Sequence, residues 1–225
     1  MLFCRGGYGV HSPFVFELMT EVIEERKLYY CYDRLRPVRL QILQRRDGVM
    51  YGNRKVSIRK LLDKYGFTEH EHRFLFRLAN RFQVKTILAV GSDFGLTPLY
   101  LTAYSTDSSC VAIEPEPSMA AVAKEYINKY ATASIDLRGD YTEIPDGLDL
   151  VVFGVSIPAF KLFLPHIHEK SAMVIQGINE SIRNRKAWKE ICAHPKVTVT
   201  IDMYRLGIVF FNPDLHRRTY KSIVL

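Results

Sequence analysis

Residues 85–101 read KTILAVGSDFGLTPLYL, and the rest of the chain is organised around them. Residues 86–90 are a short apolar, partly β-branched run, the pattern of a strand buried on both faces. Gly91 and Gly95 bracket a tight loop that carries Ser92 and Asp93. Thr97-Pro98 marks a helix start, because proline is tolerated where the backbone N–H is unpaired anyway. A strand, a glycine turn and a helix start in this order let backbone approach a ligand closely and aim free N–H groups at it. The GxxxG spacing alone is a weak signal.

The next apolar run strengthens it. Val111-Ala112-Ile113 ends in Glu114, which lies 23 residues beyond Gly91. An acid about 20 residues after a glycine turn stands where a ribose-binding carboxylate sits in dinucleotide folds. At the C-terminal end of a neighbouring strand it can accept hydrogen bonds from both ribose hydroxyls. The spacing suits either a dinucleotide or S-adenosylmethionine, and the absence of GxGxxG counts against the dinucleotide.

Composition narrows the setting. The chain has 225 residues and is 48% hydrophobic, enough for one α/β domain with a full core and an N-terminal addition. No apolar run approaches the roughly 20 residues of a membrane span, and the first residues lack the apolar centre of a signal peptide. Cys4, Cys31, Cys110 and Cys192 are scattered without a CxxC pair, which points to reduced thiols in a cytoplasm and away from zinc. The net charge is +7, yet residues 34–64 hold ten Lys/Arg against two acids, so the remainder is close to neutral. This basic segment, with Arg45, Arg46 and Arg54, is a solvated face or a surface for phosphates.

Ser12-Pro13 opens a helix, capped by the serine, with Phe14, Leu18 and Val22 on one face. A helix follows over 34–46 with Pro37 limiting its start, then a loop punctuated by Asp47-Gly48 and Gly52-Asn53, then a short helix over 57–65. Thr68 and Glu71 make a capping box ahead of a helix that turns Phe74, Leu75, Leu78 and Phe82 inward. His70 and His72 are two apart and make a poor metal pair. From Lys85 onward strands are expected at 86–90, 110–114, 134–138, 148–153, 172–176, 196–203 and 207–211. Helices are expected between them at 98–104, 117–130, 158–167 and 180–193. Tyr204-Arg205-Leu206 closes a terminal hairpin. Alternation of this kind predicts an α/β, Rossmann-like, seven-stranded and mostly parallel sheet with a final antiparallel strand and helices on both faces. Residues 1–66 are expected as an N-terminal helical extension, a substrate cap or interaction segment, and residues 67–225 as the Rossmann-like domain.

The pattern from Phe67 to Asn212 resembles the class I S-adenosylmethionine-dependent methyltransferase fold. It is most similar to small-molecule O-methyltransferases of the catechol type. Within these it resembles a group of bacterial proteins that opens with a GYGVHSPFVF-like segment, matched by residues 7–16, and closes with segments matched by residues 193–202 and 206–211. The resemblance implies that Gly91 and Gly95, with Ser92 and Asp93, frame the methionine part of the cofactor. It implies that Glu114 holds the ribose and that Asp140, in Gly139-Asp140, lies near the adenine amine.

The departures matter as much. The family's acid two positions before the first glycine is Ala89 here. The carboxylates of its metal-dependent members fall at Gly154, Gln176 and Gly177, and a hard cation needs oxygen ligands that normally include carboxylates. No metal is therefore expected. A methyltransferase without metal would act on a small-molecule acceptor by positioning, with His11, His166 or His168 as bases by residue type only. The alternatives are a binding module that has lost catalysis and a nucleic-acid methyltransferase or binder using residues 34–64. The last is disfavoured: Gly154-Val155-Ser156-Ile157 stands where base N-methyltransferases carry an Asn-Pro-Pro-Tyr-like run.

Overall fold

The computed structural model describes residues 2–4, 12–154 and 160–222. In chain order the elements are β1 (Leu2–Cys4), α1 (Pro13–Leu18) running into a π-helical turn (Met19–Ile23), α2 (Tyr30–Gln44), β2 (Gly48–Tyr51), β3 (Arg54–Ser57), α3 (Ile58–Tyr65), α4 (Glu69–Phe82) and β4 (Thr86–Val90). They continue with a 3-10 turn (Asp93–Gly95), α5 (Leu96–Thr102), β5 (Ser109–Ile113), α6 (Pro117–Tyr130), β6 (Ser134–Arg138) and β7 (Leu148–Phe153). After a 3-10 turn (Phe160–Leu162) come β8 (Ile167–Gln176), α7 (Ile182–Ala193), β9 (Val199–Asp202), β10 (Leu206–Phe210) and β11 (Arg218–Ser222). The chain divides into two compact units, residues 27–144 and residues 1–26 with 145–225. Residues 1–66, read from sequence as one helical extension, are therefore shared between the units.

In the first unit β4, β5 and β6 pair in parallel, with Val90 opposite Ile113 and Ile113 opposite Arg138. The crossovers are α5 and α6. Thr68 and Glu71 form the expected capping box: the Glu71 N–H donates to Thr68 Oγ1 at 3.2 Å and the Thr68 N–H to Glu71 Oε2 at 2.7 Å. α2 departs from expectation. It starts at Tyr30 and runs through Pro37. That proline costs one backbone hydrogen bond on an exposed face, while Leu35, Val38 and Ile42 stay buried on the opposite stripe. The loop expected near 48–53 is a β2–β3 hairpin, with Tyr51 opposite Arg54 and Gly52 in the left-handed region at φ +58°.

In the second unit β7 and β8 are parallel, and β10 lies antiparallel to both β8 and β9. This is the expected hairpin, but it is not the last strand: β11 pairs in parallel with β9, and β1 with β11. Sequence reading missed both, because RTYKS is polar with only Tyr220 and Ser222 buried, and β1 is three residues long. Ser12 caps α1 as expected, accepting from the Val15 N–H at 3.4 Å. The fold is α/β and Rossmann-like, mostly parallel with an antiparallel hairpin. Among the described residues no helix is long and apolar enough to cross a membrane.

Gly207 on β10 shows how tightly this unit is packed. A Cβ there would lie 2.6 Å from Cη2 and Cζ3 of Trp188 on α7. Gly207→Ala is expected to lower stability by about 1–3 kcal/mol, because the indole must leave its place. The check is the midpoint of urea unfolding; an unshifted midpoint would mean that Trp188 swings aside freely.

Candidate functional site

The candidate residues converge because parallel strands deliver their C-terminal ends to one edge. Gly91 and Ser92 follow β4, Glu114 follows β5, and Gly139-Asp140 follows β6. Backbone bonds join the three ends: the Gly91 N–H donates to Ile113 O at 2.9 Å and the Glu114 N–H to Arg138 O at 2.8 Å.

The loop after β4 holds an unusual backbone. Gly91, Asp93, Phe94 and Gly95 have φ values of +88°, +48°, +58° and +93°. Two of these are not glycine, a conformation that persists only where surrounding structure enforces it. Gly95 packs against α6, since a Cβ there would sit 3.0 Å from Ala123 O. Phe94 is buried in the core formed with α2, α5 and α6.

Glu114 is 5% exposed, and its Oε2 accepts from Ser92 Oγ at 2.9 Å and the Ser92 N–H at 3.3 Å. Burial pushes its carboxyl above the usual range, against the lowering effect of these bonds and of the Glu116 N–H. Ser92 uses only one carboxylate oxygen, so acceptor capacity for a hydroxyl remains on the other. Asp140 is different. It is exposed and folded into an Asx turn, taking the Thr142 N–H at 3.0 Å and the Thr142 hydroxyl. These bonds hold it below the usual carboxylate range.

Asp93 turns inward. Its Oδ2 accepts from the Phe67 N–H at 2.7 Å and lies 3.5 Å from His72 Nε2. Burial raises its pKa to about 7, against lowering by Phe67 and Arg39. His72, fully buried, stacks on Tyr100 at 4.9 Å and 15°. Its Nδ1 is 3.3 Å from Arg39 Nη1, which also donates to Phe67 O at 3.0 Å. Arginine has no acceptor, so Nδ1 must accept and Nε2 carries the proton. That proton points to Asp93 and to Thr97 Oγ1, 3.3 Å away. Burial and Arg39 hold His72 well below its ordinary pKa, hence neutral. Arg39, His72, Asp93 and Thr97 thus tie α2, α4, the glycine loop and α5 together. Sequence reading weighed His72 only as a metal ligand. Its spacing to Leu75, Phe76 and Ala79 was the available signal that it faces inward.

His11 lies outside the described residues. His166 and His168 pair with Asp146 at 2.7 Å and Asp149 at 3.0 Å. They sit at the start of β8, where Leu148 is opposite Ile167. Gly177 has φ +72°, and a Cβ on it would meet Glu180 Oε2 at 2.8 Å. Gln176 is buried. Gly154, Gln176 and Gly177 offer no carboxylate, so the residues at these positions do not fit a hard cation. Among the described residues no cluster of three or more His, Cys, Asp or Glu could hold a metal ion. Arg45, in the basic segment, is paired with Asp47 and Glu125, each at 2.7 Å.

No protein-family model and no curated protein matches the chain. Solved structures do. An O-methyltransferase of Bacillus cereus in complex with SAH is 14% identical, with 82% of this chain and 92% of that chain covered and a TM-score of 0.59. An O-methyltransferase of Streptomyces achromogenes involved in tomaymycin synthesis, in complex with SAM, is 16% identical, with 69% and 86% covered and a TM-score of 0.57. A SAH-bound methyltransferase of Podospora anserina is 12% identical, with 84% and 99% covered and a TM-score of 0.56. At these identities the likeness is one of fold: the chain has the architecture of solved methyltransferases.

Proposed function

We propose that this protein binds S-adenosylmethionine and transfers its methyl group to a small-molecule acceptor without a resident metal. One observation carries the reading. A buried carboxylate, Glu114, and a left-handed glycine loop, 91–95, stand side by side at the C-terminal ends of β5 and β4. A diol and a compact charged group can be held by such a carboxylate and by the loop's backbone N–H groups. The SAM and SAH complexes of fold neighbours support the choice of cofactor. Once bound, that cofactor supplies an electrophilic methyl group on a sulfonium.

The chain's own contribution is binding and orientation. Glu114 accepts from the ribose, and Ser92 fixes the carboxylate's direction. Asp140, with solvent access, is available to an adenine amine. Asp93 holds the loop in shape from inside. Metal independence rests on Gly154, Gln176 and Gly177 replacing carboxylates. Residues 1–66 serve as a cap or interaction segment in this reading. A reducing, cytoplasmic setting is in keeping with the free Cys31, Cys110 and Cys192.

Calorimetric titration of the cofactor-free protein with S-adenosylmethionine and S-adenosylhomocysteine, with and without EDTA, tests this. Micromolar binding indifferent to EDTA is expected. Glu114→Ala should weaken it by about 1–3 kcal/mol through lost hydrogen bonds to a charged acceptor. No binding to the folded protein would overturn the reading. A second reading, a methyltransferase fold kept only for binding, is favoured by Ala89, which leaves a buried apolar residue where the resemblance expects an acid. It predicts cofactor affinity without turnover on any phenol.

A further inference from the structure

A different part of the first unit carries charge and aromatic surface that the cofactor reading does not use. The β2–β3 hairpin and α3 expose Arg54, Lys55, Lys60 and Lys64. Arg59 pairs with Asp63 at 3.9 Å, but among the described residues these four have no carboxylate within ion-pair distance. Two tyrosines lie among them. Tyr51 is 45% and Tyr65 38% exposed, and their rings stack at 5.6 Å and 28°. Lys64 Nζ lies 4.7 Å from the Tyr65 ring centre. Arg54 is directly opposite Tyr51 across the hairpin, and Lys55 opposite Met50. Lys60 and Lys64 are one turn apart on α3 and line an open hollow of about 510 Å³.

The platform is built to stay in place. The Met50 N–H donates to Ser118 Oγ at 2.9 Å, and Ser118 Oγ donates back to Met50 O at 3.0 Å, pinning the hairpin to the first turn of α6. Val49, Ile58, Leu61 and Leu62 are buried beneath it. Exposed rings cost free energy in water, and a purely solubilising face has no use for a stacked pair of them. Stacked rings flanked by spaced cations suit unpaired bases joined by phosphodiesters: rings take base faces, cations take phosphates. A duplex hides its base faces, and an acidic peptide satisfies the cations but not the rings.

We propose that this hairpin and helix surface binds single-stranded nucleic acid, with bases stacking on Tyr51 and Tyr65 and phosphates on Arg54, Lys55, Lys60 and Lys64. The surface borders the proposed cofactor site, with Tyr51 within electrostatic range of Glu114, and its test contains no cofactor.

The experiment is fluorescence anisotropy of the full chain with a labelled oligothymidylate of about 15 nucleotides, over a salt series from about 50 to 200 mM. Salt-dependent binding is expected. Lys60→Ala with Lys64→Ala should flatten the slope of log K against log salt by about 0.7 per lost phosphate contact. Tyr51→Ala with Tyr65→Ala should weaken binding by about tenfold or more while leaving the slope unchanged. Competition on the unaltered chain, which needs no variant, should favour the single strand over a duplex of the same length and over polyglutamate. Three results would overturn the proposal: no salt-dependent binding at the lowest salt, equal competition by duplex or polyglutamate, or a salt slope that the lysine substitutions leave unchanged.

Discussion

His72→Ala is expected to cost about 3–4 kcal/mol of stability, the sum of a cavity and of orphaned polar partners. The side chain is fully buried and stacked on Tyr100, whose hydroxyl has no hydrogen-bond partner among the described residues and offers nothing to fill the gap. Arg39 Nη1 would lose its ring acceptor, and Thr97 and Asp93 would lose the Nε2 proton. Asp93 would then keep the Phe67 N–H and its bond with Thr97 to hold its left-handed backbone. The loss is therefore expected to spread to the glycine loop. Urea unfolding measures the first part, and cofactor affinity of the folded variant measures the second. A loss below about 1 kcal/mol would mean that the network is relaxed or hydrated and does not anchor the loop.

The same network sets a pH dependence whose two halves have opposite sign. His72 is held below its unfolded value of 6.5, so its contribution is present above that pH and is lost as pH falls below it. Asp93 is raised from 3.8 to about 7, so the folded state binds more protons between those values. Its contribution is present below about pH 4 and is lost as pH rises through 7. Asp93→Asn should remove the fall in stability as pH rises from about 4 to 7, because an amide oxygen can still accept from Phe67 without ionising. His72→Gln should flatten the acid side. Unfolding midpoints between about pH 4 and 8 separate the two, and identical profiles for all three proteins would sink the assignment.

Much of the fold could be read from the sequence because its signals are local. β4, β6 and β7 are apolar or alternating runs bounded by turns, and Thr68-x-x-Glu71 announces its helix by a bond between neighbours. The hairpin of β2 and β3 hid behind composition. Gly52-Asn53 is a two-residue hairpin turn, but Val49 is the only buried residue in the two strands, so no alternation marks them. β11 hid for the same reason. The site divides along the same line. Spacing put Glu114 beside the glycine loop, since parallel strands of fixed rise deliver their ends together. Which way Asp93 turns could not be read, because Phe67 and His72 come from 26 and 21 residues earlier in the chain. The pairing of Arg45 with Glu125 could not be read for a similar reason: the two lie 80 residues apart.

Gly91→Val is expected to weaken S-adenosylmethionine binding at least about hundredfold, the largest effect any single change near the loop should have on affinity. Gly91 sits at φ +88°, a conformation a β-branched residue adopts only as a strained outlier. Its N–H donates to Ile113 O at 2.9 Å, so the strain cannot be released without parting the ends of β4 and β5. The next residue, Ser92, would move with it and lose its two bonds to Glu114 Oε2. Strain of about 1–3 kcal/mol and a misdirected carboxylate together exceed what the Glu114→Ala change alone removes. Gly95 makes the contrast. A methyl there meets Ala123 O at 3.0 Å, so Gly95→Ala should cost stability through α6 more than affinity. Comparing unfolding midpoints with calorimetric affinities for the two variants distinguishes a binding loop from a packing loop. If Gly91→Val binds the cofactor as the unaltered chain does, the site does not lie over this loop, and the buried pair of Ser92 and Glu114 is structural.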